Sequence, residues 1–141
     1  MNEKDREGNM ALHYCAQLET PETTKIMALI LRKGADPTTA NNRNQQPLLL
    51  LCHNDGLRQN YEAYQECLCS LLHYGADPNF QSNTGCTPLH LSMYHQDISS
   101  AIHLISRKAE LHLLWDRVSF MHLLSRFLKS IFIHLSHFLL D

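Results

Sequence analysis

The sequence predicts an all-α solenoid of stacked helix-turn-helix units with protruding turns, followed by a C-terminal helical segment. Three observations predict it. A start motif recurs: Asp5-Arg6-Glu7-Gly8-Asn9-Met10-Ala11-Leu12-His13, then Asn41-Asn42-Arg43-Asn44-Gln45-Gln46-Pro47-Leu48-Leu49, then Ser82-Asn83-Thr84-Gly85-Cys86-Thr87-Pro88-Leu89-His90. A trailing marker follows the first two, Gly34-Ala35-Asp36-Pro37 and Gly75-Ala76-Asp77-Pro78, with Lys108-Ala109-Glu110-Leu111 as a degenerate third. Between start and marker, apolar residues recur at helical spacing.

The phase of the repeat is not accidental. From Gly34 to Leu48 is 14 residues, and from Gly75 to Leu89 is also 14. From the leading Leu to the marker the distances are 22, 27 and 19 residues in the three units. One half of the repeat is therefore rigid and the other accepts insertions. Internal repeats of this length are the signature of a solenoid, in which each unit buries its apolar face only against its neighbours.

Each element has a local cause. Thr87-Pro88 is an N-cap followed by Pro at the first helical position, where a missing N–H costs nothing. The first helix of each unit is expected to run about two turns from near Leu12, Leu48 or Leu89. The second carries Ile26, Met27, Leu29, Ile30 and Leu31 in unit one. It carries Cys67, Leu68, Leu71 and Leu72 in unit two, and Ala101, Ile102, Leu104 and Ile105 in unit three. These recur at i, i+3 and i+4, which marks one buried helical face. Gly34 and Gly75 follow the second helix, where a left-handed C-cap favours Gly. Lys108 stands in that place in unit three and leaves its cap in question. Asp36-Pro37 and Asp77-Pro78 then turn the chain outward. The variable half is the loop between the two helices: 18–23, 53–63 and 94–99. The insert 54–61, with Asp55-Gly56 and Asn60-Tyr61, reads as a loop that adds a contact at the edge.

Thr87-Pro88-Leu89-His90 and Gly75-Ala76-Asp77-Pro78-Asn79 match the ankyrin-repeat pattern nearly letter for letter, and the chain resembles that family over residues 5–112. The departures are Asn44, Gln46 and Leu49 in unit two, Met10-Ala11 in unit one and Lys108 in unit three. The resemblance implies an ankyrin-repeat domain over 1–112, with units at about 5–40, 41–81 and 82–112. It also implies a non-enzymatic module or adaptor that binds another protein through the concave face. His13 and His90 occupy the family's Leu-His position, where the imidazole bonds backbone groups of the neighbouring turn.

Stacking places equivalent positions in rows, so the residues that the repeat leaves free are the candidates for contact with a partner. In unit one they are Arg6, Glu7, Asn9 and Gln17. In unit two they are Asn42, Arg43, Gln45 and His53. In unit three they are Asn83, Thr84, Cys86, Tyr94 and His95. The row is polar, with two Arg and one Tyr, types that often dominate interface energy.

Residues 113–141 read as an amphipathic helical tail. Phe120, Leu123, Leu124, Phe127, Leu128, Ile131, Leu135, Phe138 and Leu139 form its apolar face. It is expected to cap the open end of the stack. The stretch 116–123 echoes a repeat start one residue out of phase, so a partial fourth unit is the alternative. Two further readings stay open. One is a membrane-surface adaptor acting through 117–140. The other is a truncated product of a larger ankyrin-repeat protein. The uncharged stretch 130–140 is 11 residues, short of the ~20 that a spanning helix needs.

Composition narrows the function. A chain of 141 residues with 44% apolar and 18% charged residues is one folded domain. Twelve Lys plus Arg against 14 Asp plus Glu give no electrostatic reason to expect nucleic acid. Met1 to Glu7 contains no apolar run, so secretion is not expected and a cytoplasmic or nuclear monomer is. The five Cys match no disulfide framework or zinc ribbon, and Cys86, on a variable turn, is expected to be exposed. There is no Gly-rich phosphate loop. Ser92 beside His90 and His95 is no triad, and Asp36 and Asp77 are turn-formers. His134 and His137 are spaced i, i+3 without a nearby carboxylate or thiolate, so neither metal nor cofactor is expected.

Overall fold

The computed structural model describes residues 2–109 and 117–140, and among them it contains eight helices and no strand. They are α1 (Ala11–Cys15), α2 (Thr23–Arg32), α3 (Pro47–Cys52), α4 (Asp55–Arg58), α5 (Tyr61–His73), α6 (Pro88–Tyr94), α7 (Ile98–Ser106) and α8 (Arg117–Leu140). The short helices α1, α3 and α6 stack as an inner row. The longer α2, α5 and α7 stack as an outer row, and α8 packs on α6. The third marker's Glu110-Leu111 and the boundary at 112–113 lie outside the described residues, as does Asp116.

The units are built by their turns. Gly34 and Gly75 take φ of +88° and +93°, the left-handed conformation that ends an outer helix. Lys108 answers its open question by adopting the same conformation at φ +66° without the relief that Gly provides. Asp36 then accepts hydrogen bonds at Oδ1 from the Thr38 N–H and hydroxyl, at 2.8 and 2.6 Å. Asp77 accepts from Asn79 N–H at 2.9 Å in the same way. These are Asx turns, and they redirect the chain through bonds that close over two residues.

The inner helices differ in how they begin. Thr87 Oγ1 accepts from His90 N–H at 3.3 Å while Thr87 N–H donates to His90 Nδ1 at 3.1 Å. This reciprocal pair satisfies two donors at once. In unit one Met10 N–H donates to His13 Nδ1 at 3.1 Å, and His13 Nε2 donates to Gln45 O, also at 3.1 Å, in the turn of unit two. His13 is thus both a local cap and a bolt between units. Unit two has neither device: its N-cap Gln46 makes no capping bond, and Leu49 stands where the imidazole would be. Leu48, Leu49 and Leu51 are instead buried to within 1% of exposure, with Leu50 half-buried, so apolar packing replaces the polar bolt in the central unit.

Two expectations need correction. The insert 54–61 is not a plain loop, because it builds the helical turn α4. Asn54 Oδ1 caps it by accepting from Leu57 N–H at 3.0 Å, and Leu57 is fully buried. Ile26 and Leu29 on α2, and Ile102 and Ile105 on α7, were expected on the buried face and are 41–60% exposed. Met27 and Leu31, and Ala101 and Leu104, fill the core, with Ile30 and Ile98 packed against it, because an outer-row helix buries a narrower stripe than its apolar positions cover. Arg117–Leu140 forms one helix of 24 residues that packs on α6. Phe127 enters the core at 5% exposure, with Ile131 packed beside it. The side chains of Phe120, Leu123, Phe138 and Leu139 lie outside the description.

Candidate functional site

The inner row and the turn tips form one side of the stack, and a concavity lies there between units two and three. It is a groove of about 520 Å³. Eight of the thirteen residues proposed from the sequence line it: Arg43, Gln45, His53, Asn83, Thr84, Cys86, Tyr94 and His95. Sequence reasoning missed four others, Leu49, Asp55, Ser82 and Leu91. In the sequence Leu49 is only a departure from the repeat pattern, and nothing singles out Leu91. Leu49 and Leu91 supply the apolar wall, at 1% and 6% exposure, and Tyr94, at 62%, lines the same groove.

The remaining proposed residues lie elsewhere. Asn42 N–H donates to Glu7 O at 2.9 Å, and Asn42 Nδ2 donates to Arg6 O at 3.0 Å, so these three join the turn tips of units one and two. Arg6, Glu7 and Asn42 are exposed, as is Gln17, which bonds His13 O. Asn9 is not free. It is buried, and its Oδ1 accepts from Asn41 Nδ2 at 2.8 Å across the two units. Cys86 also departs from expectation. It is 5% exposed, and burial pushes its thiol up to about 11. Its side chain turns under the tip, with Sγ 3.8 Å from Thr87 O, and the thiolate needed for reactivity is disfavoured there.

The groove carries both signs of charge at its rim. Arg43 sits 3.7 Å from Glu7, but both side chains are more than 60% exposed, so the pair is screened and holds Arg43 only loosely. At the other end His95 Nε2 lies 3.6 Å from Asp55 Oδ1. Burial lowers the His95 pKa, with the Arg58 guanidinium acting in the same direction, so this imidazole is mainly neutral at pH 7. His53 uses Nδ1 to donate to Leu49 O at 2.9 Å, which fixes its ring against α3.

Beside the groove lies a buried charge pair that no local sequence signal announces, because its members are 39 residues apart. Arg58 Nη1 donates to Asp97 Oδ2 at 2.8 Å. Arg58 Nη2 donates to Cys52 O at 2.9 Å and to the Tyr64 hydroxyl at 3.0 Å, and its guanidinium lies 4.2 Å from the Tyr64 ring centroid. Asp97 caps α7 by accepting from Ser100 N–H at 3.0 Å, and also receives the Tyr61 hydroxyl at 3.0 Å. The pair fixes unit three to unit two in a neighbouring cleft that shares His95 with the groove. Among the described residues no cluster of three or more His, Cys, Asp or Glu is placed to hold a metal ion. Among the described residues no helix is long and apolar enough to cross a membrane.

Two rows of helices, left-handed Gly turns and a groove between turn tips and inner helices define a repeat solenoid that presents one face. The comparisons agree on its kind. The chain is 34% identical over 88 residues to Ankyrin repeat domain-containing protein 53 of Homo sapiens, covering 62% of this chain and 16% of that protein. It is 44% identical over 52 residues to NF-kappa-B inhibitor zeta of Homo sapiens, covering 36% of this chain and 7% of the relative. An ankyrin repeat domain from Acinetobacter baumannii superimposes with a TM-score of 0.66 at 25% identity, covering 77% of this chain and 53% of that one. No family model matches the chain. The chain is an ankyrin-repeat protein, and the likeness supports a protein–protein interaction module in general. It spans 7% to 17% of the length of the curated relatives that it matches.

Proposed function

We propose that the protein is a non-enzymatic adaptor of the cytoplasm or nucleus that binds one protein partner through the groove between units two and three. One observation carries this reading. Tyr94 is 62% exposed in a groove walled by Leu49 and Leu91, with Arg43 held at the rim only by a screened pair with Glu7. An aromatic ring and a guanidinium beside a desolvated apolar wall are the features of an interface hot spot. The repeat accounts for the other conspicuous side chains. His13 and His90 are caps, Asp36 and Asp77 are turns, and four thiols are held protonated by burial. That leaves the groove as the place where the sequence has spent side chains that the fold does not need. The test is site-specific photo-cross-linking in cells, with benzoylphenylalanine replacing Tyr94 or, as a control, Ile26 on the outer row. A partner captured from position 94, and lost when Arg43→Glu is added, supports the groove. Capture from position 26 alone overturns it.

A further inference from the structure

Helix α8 leaves one face to solvent. Phe127 is buried and Ile131 packs beside it, which fixes the side of α8 that rests on the stack. On the other side Leu128, Phe132 and Ile133 are 55%, 74% and 55% exposed. They line one shallow surface together with Leu124, Ser125 and Lys129. A large apolar side chain exposed singly is ordinary, but three that share one surface of one helix form a patch.

The charge of this surface says what it fits. Lys129 lines the patch itself and stands one turn before Ile133, at i and i+4. Arg126 is exposed and lies on the same side, three residues before Lys129 and seven before Ile133. From Arg117 to Leu140 there are three Arg and Lys and no Asp or Glu. With those three set aside, the chain's 12 Lys plus Arg fall to nine, against 14 Asp plus Glu. Positive charge is thus concentrated on α8 and negative charge on the stack. A flat anionic surface would attract the one and repel the other, which orients the molecule as well as holding it.

Two features favour a lipid surface over a protein helix. Every residue that lines the patch belongs to α8, so it is a convex ridge with no second wall to grip a partner helix. Lys129 also stands among the apolar side chains. A protein pressed onto it would strip water from the ammonium, whereas at a bilayer interface the stem lies along the acyl boundary and the head reaches the phosphates. A second copy would set Arg126 and Lys129 against themselves.

We propose that the exposed face of α8 lies on an anionic bilayer surface, in the plane of the headgroups, with Leu128, Phe132 and Ile133 turned to the acyl boundary and Arg126 and Lys129 on lipid headgroups. No residue of α8 lines the Tyr94 groove, so the site does not depend on the groove, and a protein held there would be carried to the membrane.

The test is flotation of the full chain with vesicles of phosphatidylcholine alone and of phosphatidylcholine mixed with phosphatidylserine. Partition onto the mixed vesicles is expected to be at least tenfold stronger, and to weaken when salt is raised to about 0.5 M. Phe132→Ser and Lys129→Glu should each lower it at least threefold. Both alter exposed side chains, and circular dichroism checks that the variants stay folded. Leu29→Ser, on the exposed side of α2, and Tyr94→Ala should leave it unchanged. Equal partition onto both kinds of vesicle, no partition, or an equal loss from Leu29→Ser overturns the proposal. So does a dimer by sedimentation that Phe132→Ser dissolves, which would make a second copy the occupant. Binding of an acidic amphipathic peptide that Phe132→Ser abolishes, without flotation, would likewise overturn it in favour of a partner helix.

Discussion

The Arg58–Asp97 pair carries the sharpest energetic prediction. Asp97 has a side chain 4% exposed, and Arg58 one 15% exposed, so removing the carboxylate leaves a guanidinium with little water and only the exposed Asp55 carboxylate, 3.9 Å from Nε, as counter-charge. Breaking a buried pair from one side costs about 3–5 kcal/mol, because the remaining charge keeps its desolvation penalty. The same carboxylate caps α7, a role worth about 1 kcal/mol by itself. Both losses come from one group and overlap, so Asp97→Ala is expected to cost about 3–5 kcal/mol in total, against a whole-domain stability of about 5–15 kcal/mol. Asp97→Asn keeps the cap acceptor and should recover about 1 kcal/mol of that. Arg58→Met combined with Asp97→Ala removes both charges, and should be more stable than Asp97→Ala alone, because apolar replacement of a buried pair is often near neutral. Urea unfolding followed by circular dichroism at pH 7 measures all of these, with the slope checked for constancy. A cost below about 1 kcal/mol for Asp97→Ala would refute the reasoning, because that is the worth of an exposed pair. A double variant no better than the single one would refute it independently.

Further outcomes follow from the same contacts. Leu89, at 2% exposure in the inner row, should lose about 2–5 kcal/mol on change to Ala, measured by urea midpoint, from lost transfer energy and the cavity left behind. Lys108→Gly should stabilise the chain by about 1 kcal/mol in the same assay, because Lys108 sits at φ +66° where a Cβ is strained. His13 has its pKa lowered by burial, so the unfolded chain binds a proton at about pH 6.5 that the native ring refuses, and stability should fall as pH drops below that value; urea midpoints at pH 7.5 and 5.5, with the His13 ring titrated by NMR, check it. With Ellman's reagent at pH 7.5, half-buried Cys69 should be the one thiol that reacts quickly. Cys15, Cys52, Cys67 and Cys86 are buried and pushed up to about 11, 12, 12 and 11, and should react only after urea is added.

What the sequence reveals here follows the range of each interaction. The Asx turns at Asp36 and Asp77, the Thr87–His90 box and the glycine turns close over two to five residues, so their causes sit side by side in the chain and the repeat can be read from them. The groove is half legible for the same reason: its turn-tip residues are marked by the repeat as positions with no structural duty. Leu49 and Leu91 escape because burial and lining look alike in a sequence; a wall residue of a groove is a core residue with one edge open. Asn9 and Cys86 err in the opposite direction. They sit at variable positions, yet the neighbouring unit's turn covers one and the tip's own fold covers the other.

The insert shows why length alone misleads. Eight residues longer than the shortest unit, 54–61 has the Gly and Asn of a loop. Yet Asn54 Nδ2 donates to Ala16 O at 3.1 Å and to Leu18 O at 2.8 Å in unit one, while Arg58 reaches Asp97 in unit three. The segment is a strut across all three units. A three-unit solenoid needs such a device, because each unit has at most two neighbours and the whole is near the minimum that can bury a continuous core. Unit two lacks the polar caps of its neighbours, having Gln46 and Leu49 where they have a bolt. Its insert supplies the cross-unit hydrogen bonds that those caps would have made. The groove gains from the same economy. Asp55, beside the strut's capping Asn54, faces His95, so the segment that ties the stack together also forms one end of the surface offered to a partner.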